Sequence, residues 1–400
     1  MLEKKVFKIL SLILCLIFVT NIYSQENIFR KSKKEIKVAI LMPLFYDNID
    51  ELSFNQYNIA EKRSKPYKCF SYISFYEGVR IALDVLEQEG YKISLHVFDV
   101  GENDTNKTKE ALQYNQMKDM NLIVPLVFKN SFDMVSLFAE QNHIPLVNPM
   151  STSNEILKNE YVFKIQPDEI SKAQTIMKYI QEKHPKANVI VLYENDKSKA
   201  KLIDWYKNNI ASYTSSWTMI NYTKNAAKLK SYLKPSVNNI VINLIEKNNI
   251  NDNKVFANTL IKKLFALSSY KTTLFASFDW LDYNNIDYSM LEKLDYHFSL
   301  TYLNDYTNPN FVNFVKEYRK HFKTEPDKFY AALGYDIMLY FINALNIKGN
   351  DFQSNPNIKN NDKMINHYHF KHIDDFLGWQ NETTTIYNIR NYKIKSEWSY

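Results

Sequence analysis

The sequence predicts an α/β protein built on largely parallel sheets, and three observations predict it. Short apolar runs alternate with amphipathic stretches of helical period from residue 36 to about residue 347, and such βα alternation packs helices on both faces of a parallel sheet. The 400 residues, 45% hydrophobic and 24% charged, supply core for about two domains. No solenoid-length repeat is visible, and no stretch beyond the first 24 residues is apolar enough to span a bilayer, which takes about 20 residues.

The chain opens like an export signal. Lys4, Lys5 and Lys8 precede the apolar run of residues 9–19, and small Ser24 stands before Gln25. The apolar run is too short for a membrane span and has the layout of a cleaved signal peptide, residues 1–24. Cys15 raises lipoprotein anchoring, but Leu14 stands where a small residue is needed, so a free periplasmic protein is expected. Cleavage would leave Cys69 as the single cysteine and rule out an intramolecular disulfide. It would also lower the formal charge from +6 to +4, since three lysines leave with Glu3. The remaining lysines are scattered, which disfavours nucleic acid as a partner.

Residues 25–35 read as a polar lead-in, and 36–44 as a buried strand. Residues 47–68 have no periodicity and read as a long loop. The spacing of Phe75, Val79, Ala82, Leu83 and Leu86 predicts a helix over 74–90, closed by Gly90. Strands follow at 92–100, 121–128 and 144–149, with helices at 106–120 and 131–142 between them. The pattern then repeats with strands at 161–165, 188–193, 216–222, 238–245 and 272–278, and helices near 168–184, 197–211, 225–233 and 254–268. A strand at 295–303, helices at 309–322 and 327–347, and a terminal pair of strands within 364–395 complete the chain.

Ligands in parallel sheets sit beyond the carboxyl ends of the strands. Ser151, Thr152 and Ser153 occupy such a place after the run 144–149, where a hydroxyl cluster serves either to cap a helix or to hold an anion. Tyr46, Phe128, Tyr193 and Trp280 also follow strand ends and are expected to line a cleft. Catalytic signatures such as GxSxG, HExxH and the P-loop are absent, so no enzyme and no cofactor is expected. His367, His369 and His372 with the neighbouring Asp374 and Asp375 offer metal-ligand chemistry, but are expected to be a solvent-facing strand edge. In "GYD", Gly334 is expected to admit a neighbouring strand, and Asp336 to support the helix N-terminus.

The runs "VAILMPL", "FYEGVRIALD", "LIVPLVF", "IPLVNPMSTSNEIL", "VIVLYEN", "ASFDW" and "YAALGYDIMLYFINAL" resemble, in order and spacing, the type I periplasmic binding proteins of the leucine/isoleucine/valine-binding group, in the divergent envelope form common in Bacteroidetes. The resemblance covers residues 36–395. It implies two Rossmann-like lobes joined by three crossovers, with a small polar ligand (amino-acid-like, peptide or sugar) in the cleft between them. Lobe one would be 36–149 plus 277–347, and lobe two 150–276 plus 348–400. The resemblance also implies that Ser151, Thr152 and Ser153 hold a ligand carboxylate and Asp279 its ammonium group. A membrane transporter of the ABC type is the implied partner. The alternative is a ligand-free scaffold of the same fold acting on an envelope partner such as the peptidoglycan synthesis machinery.

The chain departs from the family pattern at Val124 and Phe128, where a Gly and a Ser are usual, and at Ser198–Lys199 in place of Tyr-Gly. Bulky apolar groups at a carboxylate site imply weak binding of free α-amino acids. The ligand is then larger or more aromatic, or the cleft is closed by side chains.

Overall fold

The computed structural model describes residues 35–46, 72–373 and 375–399. The expected signal peptide, both cysteines and the whole 47–68 loop lie outside the described residues. The strands are β1 (Ile36–Met42), β2 (Ile93–Asp99), β3 (Leu122–Pro125), β4 (Leu146–Asn148), β5 (Val162–Lys164), β6 (Asn188–Tyr193), β7 (Trp217–Asn221), β8 (Asn239–Asn243), β9 (Thr272–Phe275), β10 (His297–Leu300), β11 (Phe370–His372), β12 (Trp379–Asn381), β13 (Thr385–Arg390) and β14 (Lys393–Ser399). The helices are α1 (Ile73–Gln88), α2 (Thr105–Leu112), α3 (Lys129–Gln141), α4 (Glu169–Lys183), α5 (Ala200–Asn209), α6 (Tyr222–Asn225), α7 (Leu229–Tyr232), α8 (Ile250–Phe265), α9 (Tyr288–Lys293), α10 (Pro309–Phe322) and α11 (Tyr330–Lys348).

Two seven-stranded sheets result. The first has the order β11-β12-β5-β4-β3-β1-β2 and the second β14-β13-β10-β9-β8-β6-β7. Pairing is parallel except at β11–β12, β10–β13 and β13–β14. The strands form where apolar β-branched residues run uninterrupted: Val189, Ile190, Val191, Ile240, Val241 and Ile242 are all essentially inaccessible. β3 is shorter than the apolar run 121–128, because Pro125 has no N–H to continue the ladder.

The chain crosses between the sheets three times: after β5, after β10 and between β12 and β13. These points come later than residues 150, 277 and 347, where the lobes were expected to divide. Strand β5 pairs with β4 in the first sheet, and β9 and β10 stay in the second. Helices α10 and α11 do return to the first core, through Phe311, Phe314 and Tyr318 and nearly all of α11. Helix α11 is apolar on every side, the pattern of a helix packed all round. The tail serves both sheets: β11 and β12 extend the first, β13 and β14 the second.

The strands of the first and third crossovers are stitched together by amides. Asn381 Nδ2 donates to Ile165 O at 3.1 Å, Gln380 Nε2 to Ser171 Oγ at 2.7 Å, and the Asp168 N–H to Gln380 Oε1 at 3.3 Å. Two expectations for "GYD" are corrected. Gly334 admits a helix rather than a strand, since a β-carbon there would lie 2.3 Å from Phe75 O in α1. Asp336 does not serve the helix N-terminus. It is fully buried and accepts from the N–H groups of Ile365 and Asn366 at 2.8 and 2.9 Å, tying the segment after α11 to the core. Among the described residues no helix is long and apolar enough to cross a membrane.

Candidate functional site

The carboxyl ends of the parallel strands carry different chemistry in the two lobes. In the first lobe most polar groups there already have partners within the lobe. Asp99, at the end of β2, accepts from the N–H groups of Leu44, Phe45 and Tyr46 at 2.8, 3.1 and 2.7 Å, so a built-in carboxylate fills the turn after β1. Asn148 Oδ1 accepts from the N–H groups of Met150 and Ser151. Ser151 Oγ takes the Ser153 N–H and Ser153 Oγ the Glu155 N–H, each at 3.2 Å. Ser153 thus caps a single 3-10 turn, Asn154–Ile156. The Thr152 carbonyl accepts from Lys164 Nζ at 2.9 Å, and that nitrogen also bonds Asn154 Oδ1. The Ser151 and Ser153 hydroxyls are therefore engaged in local capping, as Ser and Thr commonly are.

The other first-lobe candidates are more exposed. Tyr46 is 71% exposed and Phe128 38%. Phe128 stands just before α3, and its N–H donates to the Glu102 carbonyl at 2.7 Å. Val124 is fully buried in the sheet. Phe45 and Lys129, at the ends of the chain runs leaving β1 and β3, hold φ of 51° and 50°. Non-glycine residues in this region carry backbone strain and cluster at functional rims.

The second lobe is open where the first is self-satisfied. A cavity of about 360 Å³ lies over the carboxyl ends of β8, β9 and β10 and beside the first turns of α4, within the size range of small-molecule sites. Asp279 and Trp280 line it, on the turn that follows β9. Tyr193, at the end of β6 and half-buried, is not among its lining residues, nor are Tyr46, Phe128, Ser151, Thr152 and Ser153. Trp280 is 3% exposed and packs edge-on against Phe256. Asp279 is exposed, and its N–H donates to Ser277 Oγ at 3.3 Å. Its carboxylate has no ion-pair partner among the described residues.

Sequence reasoning missed Lys172, Lys199 and Ser299. Lys199 binds the carboxylates of Glu169 and Glu246, the latter at 3.1 Å. Burial alone would lower its pKa, but these two hydrogen bonds outweigh it and hold the pKa above the usual lysine value. Lys172 differs. Burial pushes its pKa down, against the opposing pull of Glu169, Asp168 and Asp279, and its ammonium group has no hydrogen bond or ion pair among the described residues. Ser299 Oγ is buried without a partner. One signal for Lys172 was present: a lysine in the first turn of a helix opposes the macrodipole, which favours acids there, and such local violations gather at functional sites.

The chain matches the family described as "Receptor family ligand binding region" over residues 76–394. No curated protein matches it. Solved structures similar to it include a branched-chain amino acid ABC transporter periplasmic ligand-binding protein from Burkholderia xenovorans, 10% identical over 91% of this chain and 95% of that one, with a TM-score of 0.59. A putative branched-chain amino acid ABC transporter protein from Rhodospirillum rubrum is 10% identical over 91% of this chain and 100% of that one, with a TM-score of 0.61. An ABC transporter substrate-binding protein from Desulfitobacterium hafniense, in complex with Leu, is 14% identical over 91% and 100%, with a TM-score of 0.54. At these identities the likeness establishes the two-lobed fold.

Proposed function

The chain belongs to the receptor family ligand binding region, a family of binding proteins rather than enzymes, and on that premise we propose that it is an exported, periplasmic receptor that closes its two lobes on a small polar solute and hands it to a membrane transporter. The observation that carries the reading is the cavity at the carboxyl ends of β8, β9 and β10, with Asp279 and Lys172 at its wall, neither side chain in an ion pair among the described residues although Asp279 is one of the carboxylates that attract Lys172. A partly buried ammonium group such as that of Lys172 is costly unless it is hydrogen-bonded. The fold supports the motion the reading requires. Among the described residues the chain crosses between the lobes three times, and hinges of this kind absorb closure at a few backbone positions. The Lys328–Asp282 pair, at 3.0 Å, already spans from the loop before α11 to the turn after β9.

A thermal-shift screen of the chain from residue 25 onward against amino acids, dipeptides, sugars and small organic acids tests this. A ligand present at a hundred times its dissociation constant adds about 2.7 kcal/mol of stability. At least one class is expected to raise the melting temperature, and Asp279→Ala or Lys172→Met to remove the shift. A second reading, a scaffold that regulates an envelope partner, is favoured by the first lobe's self-satisfied rim. It predicts no shift with any class.

A further inference from the structure

A cavity of about 520 Å³ opens on the first lobe, at the ends of its strands that point away from the cleft. Ile36 opens β1, and Asn121, Pro145 and Tyr161 directly precede β3, β4 and β5. These strands run parallel, so the cavity lies at their amino ends. Leu345 and Asn346 of α11, with Gln353 beyond it, close the other side. The volume is within the range of small-molecule sites.

Four side-chain amides line this cavity, and each has spare hydrogen-bonding capacity. Asn121 Oδ1 accepts the Lys37 N–H at 2.9 Å, and Asn142 Nδ2 donates to Phe138 O at 2.8 Å. Among the described residues this leaves Asn121 Nδ2 and Asn142 Oδ1 without partners, and Asn346 makes no side-chain hydrogen bond. Gln353 Oε1 is buried without a partner. The lysine and the carboxylate of the lining, Lys118 and Glu35, are both exposed and opposite in sign. An aromatic pair completes the wall: His143 Nδ1 and Tyr161 OH share a hydrogen bond at 2.7 Å, with ring centroids 5.5 Å apart. His143 holds φ of 55° just after α3, a position usually given to glycine. A bulky residue kept in that conformation is a local violation of the kind that gathers at functional sites.

We propose that this cavity is a second binding site, separate from the cleft, for a neutral saccharide of one or two rings. A sugar hydroxyl donates and accepts at once, which suits a wall of amides that offers both donors and acceptors. The C–H face of a sugar ring packs on the His143 and Tyr161 rings. An anion would meet a single exposed lysine, with Glu35 opposing it. An apolar molecule would cover the amides and leave them unpaired. Peptides are commonly bound by pairing with an edge strand or by an apolar groove, and β1, β3, β4 and β5 are all interior to their sheet.

The test is calorimetric titration of the chain from residue 25 onward with cellobiose, maltose and N,N′-diacetylchitobiose, and with triglycine as the peptide control. At least one of the sugars is expected to bind, and triglycine is not. His143→Gly and Asn346→Ala are each expected to weaken the sugar about 10-fold, the size of one lost hydrogen bond with its contacts. Glycine adopts the backbone of residue 143 freely, and Asn346 makes no hydrogen bond within the described chain. Both variants are therefore expected to melt no lower than wild type, which separates lost binding from lost folding. Asp279→Ala, in the cleft, is expected to leave the sugar affinity unchanged. Failure of all three sugars to bind overturns the inference and leaves the receptor reading standing. Sugar binding that survives His143→Gly and Asn346→Ala but is lost in Asp279→Ala places the sugar in the cleft, which also overturns it. Triglycine binding that depends on His143 and Asn346, with no sugar bound, overturns the ligand class.

Discussion

Gly78 of α1 and Gly334 of α11 each lie against the backbone of the other helix. An ideal β-carbon on Gly78 would sit 1.9 Å from the carbonyl oxygen of Ala331, and one on Gly334 would sit 2.3 Å from that of Phe75. The chain has six glycines, and two of them make this crossing. It locks the first lobe's two longest helices together next to the strand ends that face the other lobe.

Alanine at either position is expected to destabilise. In an exposed helix interior, Gly→Ala gains about 1 kcal/mol. Here the backbone cannot yield, and overpacking of this kind costs about 1–3 kcal/mol or more. Urea unfolding of Gly78→Ala and Gly334→Ala should show the midpoint fall. A rise would mean that the helices separate freely.

Asp336→Ala is expected to cost roughly 2–4 kcal/mol, because the N–H groups of Ile365 and Asn366 lose their acceptor, and buried donors without partners cost about 1–3 kcal/mol each. Hydrogen exchange should quicken at residues 365 and 366 before it does elsewhere. Unchanged exchange there would show that the segment is held by its apolar contacts.

Much of the fold was legible in the sequence, because alternation of apolar runs and amphipathic helices is a local signal. The apolar spacing in α1 predicted its buried face, and "NVIVLY" and "NNIVINLI" predicted β6 and β8. Where the chain changes sheets was not legible. Strand β5 is only three residues, Val162–Lys164, and which sheet it joins depends on register with β4, a long-range choice. Of the residues the sequence singled out, only Asp279 and Trp280 line the second-lobe cavity. Ser151 and Ser153 looked like ligand donors, and only coordinates show their hydroxyls engaged by the N–H groups of Ser153 and Glu155. Lys172 was not singled out, since sequence cannot show which lysines lack an ion pair.

Lys164 gives a pH dependence. It is fully buried in β5, and burial pulls its pKa down to about 7. Below pH 7 both folded and unfolded chains carry its charge, and the cost of burying it is fully present. Between pH 7 and the usual lysine value near 10.4, the unfolded chain keeps a proton that the folded chain releases, so stability rises with pH. The gain is at most about 4–5 kcal/mol at 1.36 kcal/mol for each pH unit. Denaturation at pH 7 and pH 9.5 should show wild type gaining on Lys164→Met. Parallel curves would show that Lys164 stays charged through its bonds to Thr152 and Asn154.

The central claim, that a solute is held on the second lobe and draws the first onto it, is tested most directly by hydrogen exchange with and without the solute that gives the largest thermal shift. Protection is predicted at residues 169–176, 243–246 and 276–283, which line the cavity, and at 300–304 where the chain crosses between lobes. Protection confined to 150–157 and 126–131 of the first lobe, with the second lobe unchanged, would contradict it.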